Sequence, residues 1–74
     1  MEMHVYKIKD GVEVDFWEEV DFSKDCIVCA IVKGETNNEC ETKAIDQGYG
    51  DSDIYGFTYS NDDEIEISDD VERF

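Results

Sequence analysis

Proline is absent from this 74-residue chain, basic residues number 6 against 21 acids, and His4 is the only imidazole. Each shortage removes a class of function. With no proline and no low-complexity stretch, no linker divides the chain, so it reads as one domain spanning 1–74. The scarcity of Lys and Arg excludes unaided binding to nucleic acid or to an anionic membrane, because both need cations set against phosphate. A single imidazole leaves few general bases or nucleophiles, and so small a core hardly forms a cleft; no enzymatic activity and no cofactor are expected. Cysteines number 3, an odd count, and Cys26 and Cys29 lie inside an apolar run. That argues against a disulfide framework and for a reducing cytoplasm. No apolar run approaches the roughly 20 residues that cross a bilayer. Met1-Glu2-Met3-His4 is neither basic nor followed by an apolar segment, so neither a signal peptide nor a membrane anchor is expected.

What is present points to a folded acidic domain. Hydrophobic residues make up 41% and aromatics 12%, too much for an intrinsically disordered chain. At this size burial and chain entropy nearly cancel, so a partner or a second copy (a homodimer) would add stability. The net charge of -15 disfavours the compact state by self-repulsion and attracts basic protein surfaces. The excess is concentrated in the second half, where no Lys or Arg occurs between Lys43 and Arg73.

Cys26 to Val32 carries no charge and is rich in β-branched residues, which predicts a central strand covered on both faces. Met3–Lys9 and Val12–Trp17 read as a hairpin around Gly11. A three-residue loop, Lys9-Asp10-Gly11, pairs Ile8 with Val12, Tyr6 with Val14 and His4 with Phe16, leaving one face apolar. It also sets Lys7 against Glu13. Glu18–Asp25 reads as a polar connection with a helical turn. Thr36 and Glu39 have capping-box spacing and Gly48 suits a C-cap, which predicts a helix from about Asn37 to Gln47, with a Glu39–Lys43 pair on its surface. A second hairpin is expected from Ile54–Ser60 and Glu64–Ser68 over Asn61-Asp62-Asp63, with Tyr59 opposite Ile65 and Phe57 opposite Ile67. The tail from Asp69 frays unless Val71 and Phe74 dock. The fold class is α+β: an antiparallel-rich sheet of about five strands with one short helix on one face, in the order β-β-β-α-β-β. One helix covers one face only, so a curled sheet or a protein contact must shield the other, where Trp17, Tyr55 or Met3 would lie.

Three arrangements invite a chemical reading. Cys26, Cys29, Cys40 and His4 offer zinc ligands in number, but residues three apart on a strand point to opposite faces. Cys-x-x-Cys redox chemistry needs a helix N-terminus, and none follows Cys29. Asp51-Ser52-Asp53 resembles the start of a calcium loop, yet Tyr55 stands where Asp or Asn belongs and Asp62 where the bidentate Glu belongs. No metal site is expected.

The acids remain. Glu64 and Glu66, about 6.6 Å apart at two strand rises, would share the outer face of the second hairpin, as Glu13 and Asp15 would on the first. Asp51, Asp53, Asp62, Asp63, Asp69 and Asp70 extend the field. The plain reading is a solvated face that maintains solubility. Solubility does not require a stretch this long without a base, whereas carboxylates held in rows on a stiff sheet imitate a nucleic-acid backbone and fit a Lys/Arg-lined groove. Trp17, Tyr49 and Tyr55 would anchor such a contact. In size, charge and α+β form the chain resembles the small acidic inhibitors of bacteriophages and other mobile elements: DNA-mimic anti-restriction proteins, uracil-DNA glycosylase inhibitors and anti-CRISPR proteins. No motif is shared, so no residue role is carried over. The resemblance implies stoichiometric inhibition of a basic nucleic-acid-binding protein or complex in a bacterial host cytoplasm. Two other classes fit the same charge: an immunity protein against a basic nuclease toxin, and a subunit of a larger assembly.

Overall fold

The uncharged run lies in strand β2 (Cys26–Lys33) of a computed structural model describing residues Met1–Phe74. Around it stand β1 (Glu2–Ile8), a 3-10 turn at Trp17–Glu19, the single-turn helix α1 (Phe22–Asp25), α2 (Asn37–Asp46), β3 (Tyr55–Thr58) and β4 (Glu66–Arg73). The sheet order is β3-β1-β2-β4. β1 is antiparallel to both β2 and β3, and β4 runs parallel to β2. The α+β class with one principal helix on one sheet face holds. The sheet differs from expectation in having four strands and mixed pairing.

β2 is interior and apolar on both faces, and a bulge reverses its side-chain parity midway. Val5 pairs with Ala30 and Tyr6 with Val28, which leaves Cys29 as an extra residue. Before the bulge, Cys26 and Val28 face away from α2; beyond it, Ile31 does, while Ala30 and Val32 face α2. Each face therefore has its own core. Met3, Val5, Ala30, Val32, Cys40 and Ala44 form one, under α2. Val20, Cys26, Val28, Ile31 and Ile65 form the other. Burying one such aliphatic side chain stabilises by about 1.5–3 kcal/mol, so two thin cores suffice where one would not.

α2 starts and stops where its caps dictate. The Thr36 hydroxyl accepts the Glu39 N–H at 3.1 Å, and the Glu39 carboxylate accepts the Glu35 N–H at 3.3 Å, one residue short of a reciprocal capping box. At the other end Gly48 sits at φ +97. The Tyr49 N–H donates to Ala44 and the Gly48 N–H to Ile45, both at 3.0 Å, which completes a Schellman motif. Cys40 and Ala44 are buried, whereas Ile45 on the flank stays 56% exposed. The Glu39–Lys43 pair forms at 3.5 Å.

Neither hairpin forms. The first turn exists, with the Val12 N–H donating to Lys9 at 3.2 Å and Gly11 at φ +88, but both edges of β1 are taken by β2 and β3. The chain after Gly11 leaves the sheet plane. Val14, Trp17, Val20 and Phe22 then pack on the face opposite α2, and Phe16 is left 64% exposed. Burying four apolar groups on a bare sheet face outweighs one more pair of edge hydrogen bonds. β3 and β4 lie on opposite edges, so Tyr59–Ile65 and Phe57–Ile67 are not pairs. The crossover between them is set by Asn61, at φ +48, whose side-chain amide accepts the Ile65 N–H at 2.9 Å and donates to the Ile65 carbonyl at 3.2 Å. Ile65 is thereby delivered to the core. The tail is strand rather than frayed: Val71 and Phe74 pack on opposite cores, and Phe74 exchanges backbone bonds with β2 through Ile31 and Lys33, both at 3.0 Å. Trp17 lies opposite α2, whereas Met3 and Tyr55 lie on the α2 side. The second face is thus shielded by the chain itself.

Candidate protein interface

Backbone placement distributes the candidate acids into three groups. Glu13 and Asp15 follow the first turn and, with Asp53, line a hollow of about 650 Å³ between that turn and the start of β3. Asp62, Asp63 and Glu64 occupy the crossover loop, with Glu64 at φ +53. Glu66, Asp69 and Asp70 lie on β4, at the sheet edge. Asp51 stands apart in the turn before β3, where its carboxylate accepts the Asp53 N–H at 2.9 Å. All ten of these acids are exposed.

The expected rows are not formed. Glu64 precedes β4 in a turn conformation, so it shares no strand face with Glu66. Glu13 and Asp15 lie on no strand. β4 is itself irregular: Val28 pairs with Ile67 and Ala30 with Glu72, so four residues of β4 stand opposite the single Cys29. Asp69 and Asp70 ride on this arch. The acids are therefore presented in clusters at turns and an edge, because the crossover topology broke the hairpins that would have ranked them.

Neutralisation within the molecule is slight. Two ion pairs exist, Glu66 with Lys9 at 3.1 Å and Glu39 with Lys43 at 3.5 Å, and Glu2 is hydrogen-bonded to His4 Nε2 at 3.1 Å. Glu66 alone among the candidate acids has a cationic partner. Exposed pairs of this kind are worth about 0–1 kcal/mol, so they do little to offset the repulsion among the other carboxylates.

A second hollow, about 440 Å³, opens where α2 ends and leaves part of the sheet uncovered. Tyr49 and Tyr55 form one wall, edge to face with centroids 5.0 Å apart. Ile27 and Cys29 also line it, together with Lys7, Lys9, Asp10, Asp70 and Glu72. The Tyr49 hydroxyl donates to the Glu72 carboxylate at 3.2 Å. Burial and then the adjacent Glu72 charge push the Tyr49 phenol up to about 12. Asp10 and Glu72 were not among the candidate residues. Only the folded topology sets Asp10 beside both hollows and Glu72 across from Tyr49.

The aromatics divide in role. Trp17 meets Tyr6 edge to face at 6.0 Å and stacks on Phe22 at 6.5 Å, which makes it a packing residue of the second core. Tyr55 lines both hollows and remains half-buried. The cysteines are packing groups too. Cys26 and Cys29 belong to opposite faces, and burial raises both thiols above their ordinary range. No three His, Cys, Asp or Glu side chains converge into a metal-binding group. His4 is bonded to Glu2 through Nε2, while its buried Nδ1 has no partner. No helix is long and apolar enough to cross a membrane. No family model matches the chain, and no curated protein or solved structure shows significant similarity to it.

Proposed function

We propose that this protein is a non-enzymatic inhibitor that occupies the basic nucleic-acid-binding surface of a defence or DNA-processing complex, setting carboxylates where phosphates would lie. One observation carries the reading: of 21 acids, two are in ion pairs with lysines, and the candidate acids apart from Glu66 face solvent without a cationic partner. A surface with acids in large excess, held on turns tied to a sheet, steers a cationic groove toward it and releases the counterions of both. The matching is by charge density around loop clusters, since the acids do not stand in the regular spacing of a strand.

Glu64, Asp69 and Asp70 have no side-chain hydrogen bond or ion pair to lose, which makes them clean sites for charge reversal. Replacing all three with Lys leaves the unfolding transition in place and abolishes capture of the partner from a bacterial lysate. DNA or guide RNA displaces the captured partner from the unaltered protein. Raised salt weakens the complex while stabilising the free domain, because screening acts on both. Undiminished capture by the triple variant, or a partner that nucleic acid does not displace, overturns the reading.

A further inference from the structure

The two outer edges of the sheet are unlike. Five of the eight residues of β4 are charged, and its arch breaks the ladder, both of which discourage pairing with another strand. β3 has neither protection. It lies within Ile54-Tyr55-Gly56-Phe57-Thr58-Tyr59-Ser60, an uncharged stretch in a chain of net charge -15, and Ile54 and Tyr59 are 50% and 41% exposed.

Its outward hydrogen-bonding groups can be identified. The Lys9 N–H points to the β2 side, donating to Asp25 at 2.7 Å, so odd residues of β1 face β2 and even residues face β3. His4 and Tyr6 therefore bond Thr58 and Gly56, their register partners, and Tyr55 and Phe57 direct their backbone outward. The Tyr55 N–H is taken by the Asp51 carbonyl at 2.8 Å, while no turn, loop or side-chain bond reaches the N–H or carbonyl of Phe57. A Cβ on Gly56 would collide with the Tyr6 ring, so Tyr6 lies directly over the glycine and packs β3 against β1.

We infer that β3 is a docking edge for an extended segment of a basic protein, joined as a fifth strand, with an apolar centre and Lys or Arg at its ends. The charge around the edge selects the occupant. Asp51 and Asp53 precede the uncharged stretch, and Asp62 and Asp63 follow it. Antiparallel pairing with β3 of a second copy would set the acids at one end of each strand against those at the other, which disfavours self-association. A strand with cationic ends meets opposite charge at both. This inference rests on the reading of the protein as a binder of basic partners, and names the element through which it binds.

The probe is a short synthetic peptide with an alternating Thr-Val centre and lysines at both ends, titrated into the isotope-labelled protein. The Phe57 amide shifts in the NMR spectrum and its hydrogen exchange slows by roughly tenfold or more. A peptide of equal charge with prolines in its centre leaves Phe57 unchanged, and one with glutamate ends does not bind. Asp53→Lys with Asp63→Lys weakens binding by roughly fivefold to tenfold, as loss of two exposed charge contacts implies. Equal effects from the proline peptide mean charge attraction alone and overturn the proposal. So does Phe57 protection that rises with protein concentration in the absence of peptide. If the peptide leaves Phe57 untouched while the Glu64, Asp69 and Asp70 reversals still abolish partner capture, the edge proposal fails and the inhibitor reading stands. The converse result separates them the other way.

Discussion

The same sheet is covered on its two faces by different means. Over one face lies α2, whose backbone satisfies itself and whose ends are closed by Thr36 and Gly48. Every residue of that core is fully buried. Over the other face run two irregular segments, Val12–Phe22 and the crossover to β4, fastened by individual side chains. Asp21 caps α1 by accepting the Ser23 N–H at 3.2 Å, and Asn61 clamps both backbone groups of Ile65. A helix distributes its anchorage over many equivalent bonds, whereas a crossing loop concentrates it in a few. The irregular face is therefore where single substitutions do the most harm.

The largest effect is expected at Trp17, the ring that joins Tyr6 and Phe22 on that face. Trp17→Ala costs about 3 kcal/mol, the lower end for such truncations because the side chain is half-buried. In a domain this small that lowers the thermal midpoint by about 15 °C, read by circular dichroism. An unchanged midpoint would mean that the second face is not a core, and would free Trp17 to serve as the partner contact suggested by its sequence position. Next comes Asn61→Ala, which leaves the Ile65 N–H without its acceptor and forces alanine into a left-handed backbone; about 2 kcal/mol is lost in denaturant titration. Asn61→Gly, which relieves the backbone but not the missing bonds, recovers part of that loss.

On the regular face the corresponding substitution is milder. Thr36→Ala removes one capping bond and costs about 1 kcal/mol, with Thr36→Ser close to neutral. If Thr36→Ala proves as damaging as Asn61→Ala, the contrast between distributed and concentrated anchorage is lost.

That contrast also marks what the sequence could convey. α2 was legible because its signals are local: Thr36, Glu39 and Gly48 stand at fixed offsets, and Cys40 and Ala44 repeat at a helical period. β2 was legible as an apolar run, though not its bulge, since nothing in Cys26–Val32 distinguishes Cys29 as the extra residue. The hairpins failed for one shared reason. Alternation in Val12-Glu13-Val14 states that one side is to be buried, but not whether a strand or a sheet face will bury it. Asp10-Gly11 does form its turn, and the same turn serves a chain that leaves the sheet. β4 was legible only as far as Ser68, because Ile67, Val71 and Phe74 fall out of period across the arch. The candidate acids were individually legible as exposed; their grouping was not, because Asp53 meets Glu13 and Asp15 only through the β3–β1 pairing. Glu66 found Lys9, more than fifty positions earlier, by the same topology.

The smallest effect lies in titration, and it sets the two faces against each other through their phenols. Burial raises both Tyr6, opposite α2, and Tyr49, beside its C-terminus, but Tyr49 also donates its proton to Glu72 and reaches about 12. A phenol whose folded value lies above its unfolded one, near 10, favours the folded state while neutral. Its contribution is complete below pH 10 and disappears as pH rises through about 12. Ultraviolet titration of phenolate should therefore show a late-ionising tyrosine that vanishes in Tyr49→Phe and moves to lower pH in Glu72→Gln, since the charge and the acceptor both weaken. The same Glu72→Gln change should leave Tyr6 in place, because its phenol is raised by burial and then by Cys26 and Asp63, with no part played by Glu72. Movement of both tyrosines together would indicate that the two faces loosen as one unit in alkali, and that the helix-covered side is no more independently secured than the side spanned by loops.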